Sequence, residues 1–245
     1  MIVCIHLQNL LMKIPKKINP DRLVDAIVAV RFESDLPAEV LLGVIFQSLN
    51  DSYIYSNKNI SKNQFPNGNS VKNSLFYNDR IKVMVLENSL IFNILTEYIG
   101  WEHYKKEISN FIELIQKKGS PIKTFTKASV RYISEYKDVD LRNILNFNFT
   151  FGMSDVKSEV FTFRSEFEKD KQRVFLHLQN KIISKRINND LNKISVIDID
   201  VMNDRLTCSN IQELLEEISK AHNLENEIYF NLLKEDFLKT LNPIY

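Results

Sequence analysis

The sequence predicts an α+β fold with antiparallel sheets and helices packed on one face of them. Two observations lead to this class. The stretch 125–136, FTKASVRYISEY, alternates between an apolar and a polar face, as a strand does when only one side is covered. Residues 100–118, just before it, carry apolar side chains at the spacing of an amphipathic helix. Helical and strand periods that follow one another along one chain favour a mixed fold.

The composition is that of a globular protein and excludes few functions. The 245 residues are 44% hydrophobic and 26% charged, and the net charge is +1. A net charge so close to zero gives no field that would hold the whole chain on nucleic acid or an anionic membrane, although a local basic patch stays open. Cys4 and Cys208 have no metal or redox spacing, and so few cysteines predict a cytoplasmic protein. No apolar run reaches the roughly 18 residues of a membrane span, so no membrane partner is expected.

The first eleven residues are interpreted as an N-terminal extension. The apolar run there is interrupted by His6, Gln8 and Asn9, and it has neither a basic leader nor a small-residue cleavage site. A signal peptide is therefore not expected. Met12 is expected as an alternative start.

Residues 12–138 are predicted to form a first half with the order strand, helix, strand, strand, helix, strand. The predicted elements are a strand at 25–33, a helix at 35–50, strands at 75–77 with 80–87 and at 89–96, the helix at 100–118 and the strand at 125–136. This βαββαβ order is the ferredoxin-like one. Asp35 is expected to cap the first helix, and the polar stretch 51–74 is expected to be a loop with a turn at Asn67 and Gly68.

Residues 139–245 are predicted to form a second half of three strands and a long C-terminal helix. The elements are a short segment at 141–147, strands at 159–168, 173–183 and 194–202, and a helix that ends near 241. Ser209 or Asn210 is expected to cap this helix, with a break near Asn223. Two arrangements stay open within one compact body, namely two sheets or one long continuous sheet.

One polar face of the second-half strands is the sharpest candidate for chemistry. Asp198 and Asp200 share a face of their strand, while Glu166 and His177 lie on polar faces of the two strands before it. If these strands are neighbours, the four side chains converge into a ligand set for Mg²⁺ or Mn²⁺, suited to phosphodiester cleavage. The competing interpretation, which we favour, is the solvated side of a one-sided sheet. Phe175, on the same face as His177, weakens the metal hypothesis further.

Basic side chains on the first-half strands are candidates for binding nucleic acid or another anion. These candidates are Arg31, Arg80, Lys127 and Arg131. Tyr77 or Phe125 beside them would stack on bases, as in single-strand readers. The competing interpretation, again favoured, is a set of exposed salt bridges to Glu33 and Glu135, each worth about 0–1 kcal/mol.

The remaining reactive residue types are interpreted as structural. His103 and His222 have no helix neighbour that completes an HxxxH or HExxH metal motif. Cys208 has nothing near it in sequence that would activate a thiol. GxSxG, Walker A and GxGxxG motifs do not occur. No cofactor is expected, apart from Mg²⁺ or Mn²⁺ under the metal hypothesis.

The C-terminal helix is the most credible interaction element. Its apolar side chains spread around more than one side, and the interface candidates are Tyr229, Phe230, Leu233 and Phe237. Burial within the chain is slightly favoured, and a homodimer seam is the alternative.

Four passages carry a family resemblance. They are INPDRLVDAIVAVRF, YIGWEHYKKEISNFIELI, SVRYIS and, after a strand ending in DID, AHNLENEIYFNLLKEDFLKTLN. Together they resemble a sporadically distributed, functionally uncharacterised prokaryotic family of proteins of similar length. The likeness runs from about Ile18 to the C-terminus and leaves the first eleven residues outside. None of the passages is a catalytic motif, so the resemblance implies a cytoplasmic protein of accessory or mobile-element type and no particular activity.

These observations predict a non-enzymatic binding or regulatory module that self-associates and acts on a protein partner. The alternative is a nucleic-acid-binding or metal-dependent nuclease-like protein that uses the face of Glu166, His177, Asp198 and Asp200.

Overall fold

The computed structural model describes residues 13–49, 51–56, 74–95, 97–146, 159–185 and 191–245. Its strands are β1 Leu23–Glu33, β2 Ile54–Ser56, β3 Ser74–Tyr77, β4 Ile81–Leu86, β5 Ser89–Ile94, β6 Thr124–Lys137, β7 Phe161–Lys169, β8 Gln172–Lys185 and β9 Leu191–Asn203. Its helices are α1 Ala38–Leu49, α2 Trp101–Lys117, α3 Leu141–Ile144, α4 Ile211–Leu232 and α5 Glu235–Thr240. The predicted extension at 1–11 and the predicted turn at Asn67 and Gly68 lie outside the described residues.

The strands form one large sheet, so the predicted α+β class is confirmed. Within the described residues the sheet has nine strands in the order β2-β3-β4-β5-β1-β6-β9-β8-β7. The pairs β1–β5, β2–β3, β3–β4, β4–β5 and β7–β8 are antiparallel. Of the two arrangements that the sequence left open, the strands adopt the single continuous sheet.

The chain divides into two compact units. The first unit contains Asp25–Val130 and Met202–Ala221, and the second contains Arg131–Val201 and His222–Tyr245 together with the N-terminal segment up to Val24. Each of these units combines separate segments of the chain, whereas the predicted halves, 12–138 and 139–245, are continuous segments. The two halves stay a prediction.

The core of the first unit forms where the two predicted periodicities meet. From position 26 onward the even-numbered residues of β1 are buried, as the alternation predicts, and they are Ala26, Val28, Val30 and Phe32. The stripe of α2 is buried too, through Tyr104, Ile108, Phe111, Ile112 and Ile115. The Tyr104 hydroxyl lies 2.8 Å from the carbonyl oxygen of Phe92 and 3.1 Å from that of Ala26, which satisfies this buried polar group.

Glu107 of α2 is buried, although glutamate is a residue type that is usually exposed. Its carboxylate accepts hydrogen bonds from Arg80 at 2.9 Å and from Asn78 at 3.1 Å. Position 107 lies three residues after Tyr104 and four before Phe111, so helix geometry places it on the stripe, and the two donors satisfy the carboxylate there.

Two expectations for the first unit need correction. The stretch 51–74 contains β2 and the start of β3, because the Tyr55 ring packs 5.3 Å from Phe46 and 5.2 Å from Phe76. Asp35 pairs with Lys123, and the backbone turn before α1 is bonded by the Ser34 hydroxyl, which accepts from the Leu36 amide at 3.2 Å. Neither tertiary contact is visible in the local sequence pattern.

The second unit is built on β6, the β7–β8 hairpin, β9 and the C-terminal helices. The turn between β7 and β8 contains Asp170 and Lys171, with φ of 51° and 64°, which is the backbone twist that a two-residue hairpin needs. Tyr132 and Tyr136 of β6 are buried and contact α4 through His222 and Tyr229.

The predicted break of the C-terminal helix near Asn223 is wrong. The helix α4 continues to Leu232, and α5 starts at Glu235. The interruption at Leu233 is stabilised by backbone bonds from Asn146 to Leu232 and from Lys234 to Ile144, each 2.7 Å long. The cap is as predicted, because the Asn210 side chain accepts from the Glu213 amide at 2.8 Å.

Candidate binding face

An open cleft of about 270 Å³ lies on the second unit, on the face of β6 opposite to Tyr132. Its lining includes Arg131 on β6, Arg164 on β7, Phe175 and His177 on β8, and Asp198 and Asp200 on β9. These six residues define the open face. They meet because β6, β9, β8 and β7 are consecutive in the sheet, and side chains at opposed positions, such as Arg164 and His177, lie on the same face.

A row of polar and charged side chains crosses this face from strand to strand. The Arg131 guanidinium donates to both carboxylate oxygens of Asp198, at 2.8 and 2.7 Å. Nδ1 of His177 lies 3.8 Å from Asp198, and the Arg164 Nε–H donates to His177 Nε2 at 3.3 Å. The two arginines therefore lie at the ends of the row, and the bidentate geometry on Asp198 is the strongest contact in it.

His177 is held in its neutral form. Burial and the positive charge of Arg164 lower the pKa of His177 below its ordinary value, while Asp198 opposes this shift. A neutral ring that accepts from Arg164 at Nε2 carries its proton on Nδ1, the nitrogen that faces Asp198. The row thus has a defined polarity, with an acceptor directed toward β7 and a donor toward β9.

Phe175 supplies the half-buried apolar part of the open face. The Arg173 guanidinium lies 5.3 Å from its ring centroid, within cation–π range. Arg173 also donates to Glu166, with contacts of 3.1 Å from Nε and 2.5 Å from a terminal nitrogen. An aromatic ring among paired arginines is a composition enriched in protein interfaces.

The four residues of the metal hypothesis are only partly brought together. His177, Asp198 and Asp200 line the cleft, but the carboxylate of Glu166 pairs with Arg173. Both oxygens of Asp198 are engaged by Arg131. Within the described residues, no group of three or more His, Cys, Asp or Glu side chains is arranged to hold a metal ion. The metal hypothesis stays a prediction.

The basic candidates fall in both units. Arg131 belongs to the open face and pairs with Asp198, a partner that the sequence analysis did not foresee. Arg80 lies in the first unit and pairs with Glu107. Arg31 is exposed on β1, and Lys127 is half-buried on β6.

The aromatic residues expected beside the basic candidates differ from each other. Phe125 has 0% exposure, so its ring is not available to stack on a base. Tyr77 is half-buried at the end of β3.

The interface candidates on the C-terminal helices are mostly covered by their own unit. Tyr229, Phe230 and Leu233 are buried, and Phe237 is half-buried with its ring 5.9 Å from that of Tyr136. Burial within the chain, the interpretation favoured from the sequence, describes the first three side chains.

The two histidines and the cysteine that were interpreted as structural differ in their exposure. His103 is exposed in the first turn of α2, whereas His222 is buried against Tyr132. Cys208 is buried, and burial raises the pKa of its thiol to about 11, which leaves it protonated at neutral pH.

Sequence reasoning missed two features. The pairing of Arg131 with Asp198 depends on β6 and β9 being neighbours, and no local signal predicts that adjacency. Glu225 is buried on α4, and here a signal exists: it lies four residues after Ala221 and four before Tyr229, on the buried stripe.

The chain has no match among family models and none among curated proteins. The resemblance described from the sequence stays a prediction. In the part of the chain that the structure describes, no helix combines the length and the apolar character needed to cross a membrane.

Proposed function

We propose that this chain is a non-enzymatic binding module of regulatory or accessory type, which self-associates and engages a protein partner through the open face. The observation that carries the proposal is the cross-strand row Arg131–Asp198–His177–Arg164 beside the half-buried Phe175. The row is ordered before any partner arrives, which reduces the entropy lost on binding.

The charge balance of the open face favours a protein over a nucleic acid. Around Phe175, the arginines at 131, 164 and 173 are balanced by the carboxylates of Glu166, Asp198 and Asp200. Nucleic-acid binding draws its affinity from neutralising phosphates with an excess of positive charge. A face of mixed sign instead suits a protein surface of complementary mixed sign, and charges already paired within the chain are less costly to cover.

The experiment compares the wild-type chain with the double variant Phe175→Ala, Arg164→Glu. We expect wild-type self-association in analytical ultracentrifugation and capture of a protein from lysate, and the double variant should weaken both by about tenfold or more, as loss of an interface anchor does. Lys106→Glu, an exposed charge reversal on α2, is the control and should behave as wild type.

Three results would contradict the proposal. One is association that is unchanged in the double variant while circular dichroism shows a native fold. Another is a wild-type chain that stays monomeric and captures no protein. A third is capture of nucleic acid alone, in a salt-dependent manner, which would favour the nucleic-acid alternative.

The layout of the first-half elements and the location of the protein are part of the proposal. We propose that β1, α1, β4, β5, α2 and β6 follow the ferredoxin-like layout, which is supported by the strand order β4-β5-β1-β6. We also propose a cytoplasmic location, which is supported by the low cysteine content.

A further inference from the structure

The helix-covered face of β6 carries a buried cluster of hydrogen-bonded polar side chains. The Tyr132 hydroxyl lies 3.0 Å from His222 Nδ1, and Asn226 lies 2.9 Å from His222 Nε2. One turn further along α4, the hydroxyls of Tyr136 and Tyr229 are 2.6 Å apart. This part of α4 is therefore attached to β6 by hydrogen bonds as well as by apolar contact.

Glu225 lies between the two sets of hydrogen bonds and is the exception among them. It is 2% exposed, and within the described residues its Oε2 has no hydrogen-bond partner. His222 and Tyr229, three residues before and four after it, are its helix neighbours. A buried carboxylate with an unbonded oxygen is far more costly than a buried neutral acid, so the folded form retains the proton.

The titratable groups around Glu225 lie on α4, on β6 and before β1. On α4 and β6 they form two hydrogen-bonded pairs, Tyr132 with His222 and Tyr136 with Tyr229. Asp21 and Arg22, before β1, act on the tyrosines, and Asp21 has the same sign as an ionised Glu225. Within the described residues, no lysine or arginine forms an ion pair with Glu225.

We propose that Glu225 is a proton-controlled switch, in which the protonated acid keeps the turns of α4 at 222–229 on β6 and loss of the proton to water opens them. Opening follows because the carboxylate can be hydrated only if these turns move away from the strand. The inference does not rest on partner binding at the open face.

The direction of the pH dependence follows from proton linkage. Burial raises the pKa of Glu225 well above its ordinary value of 4.5 in the closed form. The open form has the ordinary pKa and binds fewer protons between the two values. Stability of the closed form is therefore complete below 4.5 and falls as the pH rises toward the closed-form pKa.

Amide hydrogen exchange of the full chain tests the switch. Protection factors for 222–232, corrected for intrinsic exchange, would be compared at about pH 5 and about pH 8. In the wild type we expect the opening equilibrium to rise by about tenfold per pH unit in the linked range, as loss of one proton requires. Glu225→Gln should abolish this dependence, whereas Glu216→Gln, an exposed glutamate on the same helix, should retain it.

A second variant and a direct readout keep the test decisive. If Glu225→Gln does not fold, Glu225→Met offers an apolar side chain of similar volume with the same expected loss of pH dependence. The carboxylic C=O infrared band, assigned by its loss in either variant, should be present in the wild type at neutral pH. Protection that is independent of pH in the wild type, equal pH dependence in the variant, or an ionised Glu225 in the closed form would overturn the proposal.

Discussion

The two faces of β6 place polar groups in opposite physical situations. On the open face, Arg131 is matched by the opposite charge of Asp198, and the Arg131 side chain keeps 42% exposure to water. On the covered face, Tyr132 and Tyr136 are hydrogen-bonded to His222 and Tyr229, and Glu225 is buried with an unbonded oxygen. The comparison shows that adjacent residues of one strand can form a water-exposed ion pair on one side and buried hydrogen bonds on the other.

The two faces differ because water reaches charged groups on the open face and is excluded under α4. Charged pairs have a small desolvation cost where water still reaches them, and each contributes little net stability. Under α4 such charges would lose their contact with water, and the polar side chains there are bonded to one another, with the exception of Oε2 of Glu225. The open face therefore keeps its ion pair partly in contact with water, whereas the covered face holds its polar groups in one buried arrangement.

The largest expected effect is on the covered face. Tyr136→Ala should lower the free energy of unfolding by about 3–5 kcal/mol, because it removes a buried ring and leaves a cavity. Tyr136→Phe should cost about 1 kcal/mol, the value of its hydrogen bond to Tyr229. Urea denaturation measures both changes. Phe175→Ala, on the open face, is the matched control, and a cost there equal to that of Tyr136→Ala would contradict the comparison.

A smaller effect is expected from the charged row. Asp198→Asn should cost about 1 kcal/mol or less, because Arg131 can turn to water once its partner loses the charge. The same substitution should lower the pKa of His177 further, since the Asp198 charge is what raises it. An NMR titration of the His177 ring measures this shift. An unchanged or raised pKa would show that the 3.8 Å contact has no electrostatic role.

The smallest effect is the pH dependence that His177 contributes, and its sign is opposite to that of Glu225. The pKa of His177 is lower in the folded chain than its ordinary 6.5, so the unfolded chain takes up the proton first as the pH falls. This contribution is therefore fully present above 6.5 and is lost as the pH falls through the folded-state pKa. The free energy of unfolding, measured across this pH range, should change less with pH for His177→Gln than for wild type. An equally steep dependence in the variant would assign the effect to another group.

Local periodicity was enough to predict most elements and the residues that they bury. The alternation in β1 and β6 and the stripe of α2 each identify a buried face correctly, because such patterns depend only on backbone geometry. Glu107 and Glu225 were not predicted to be buried, since a charged residue type carries a strong expectation of exposure. Their spacing of three or four residues from buried neighbours nevertheless places both of them on the buried stripes.

The candidate site was predictable in its residue types and not in its pairings. His177, Asp198 and Asp200 were recognised as one polar face, and they do line one cleft. That Arg131 is the partner of Asp198 follows from the adjacency of β6 and β9, which lie far apart in sequence. The short strand β2 likewise depends on aromatic contacts of Tyr55 that its polar surroundings do not reveal.

Taken by itself, the amino-acid sequence determined which segments are helices and strands, and which side of each segment avoids water. That information is local, because it depends on the repeat of a helix or strand over a few residues. Only the tertiary structure decided which strands are neighbours, which charges meet across them, and that one carboxyl lies beneath α4. Those outcomes depend on contacts between distant residues, whose energies cannot be read from the spacing of side chains along one element.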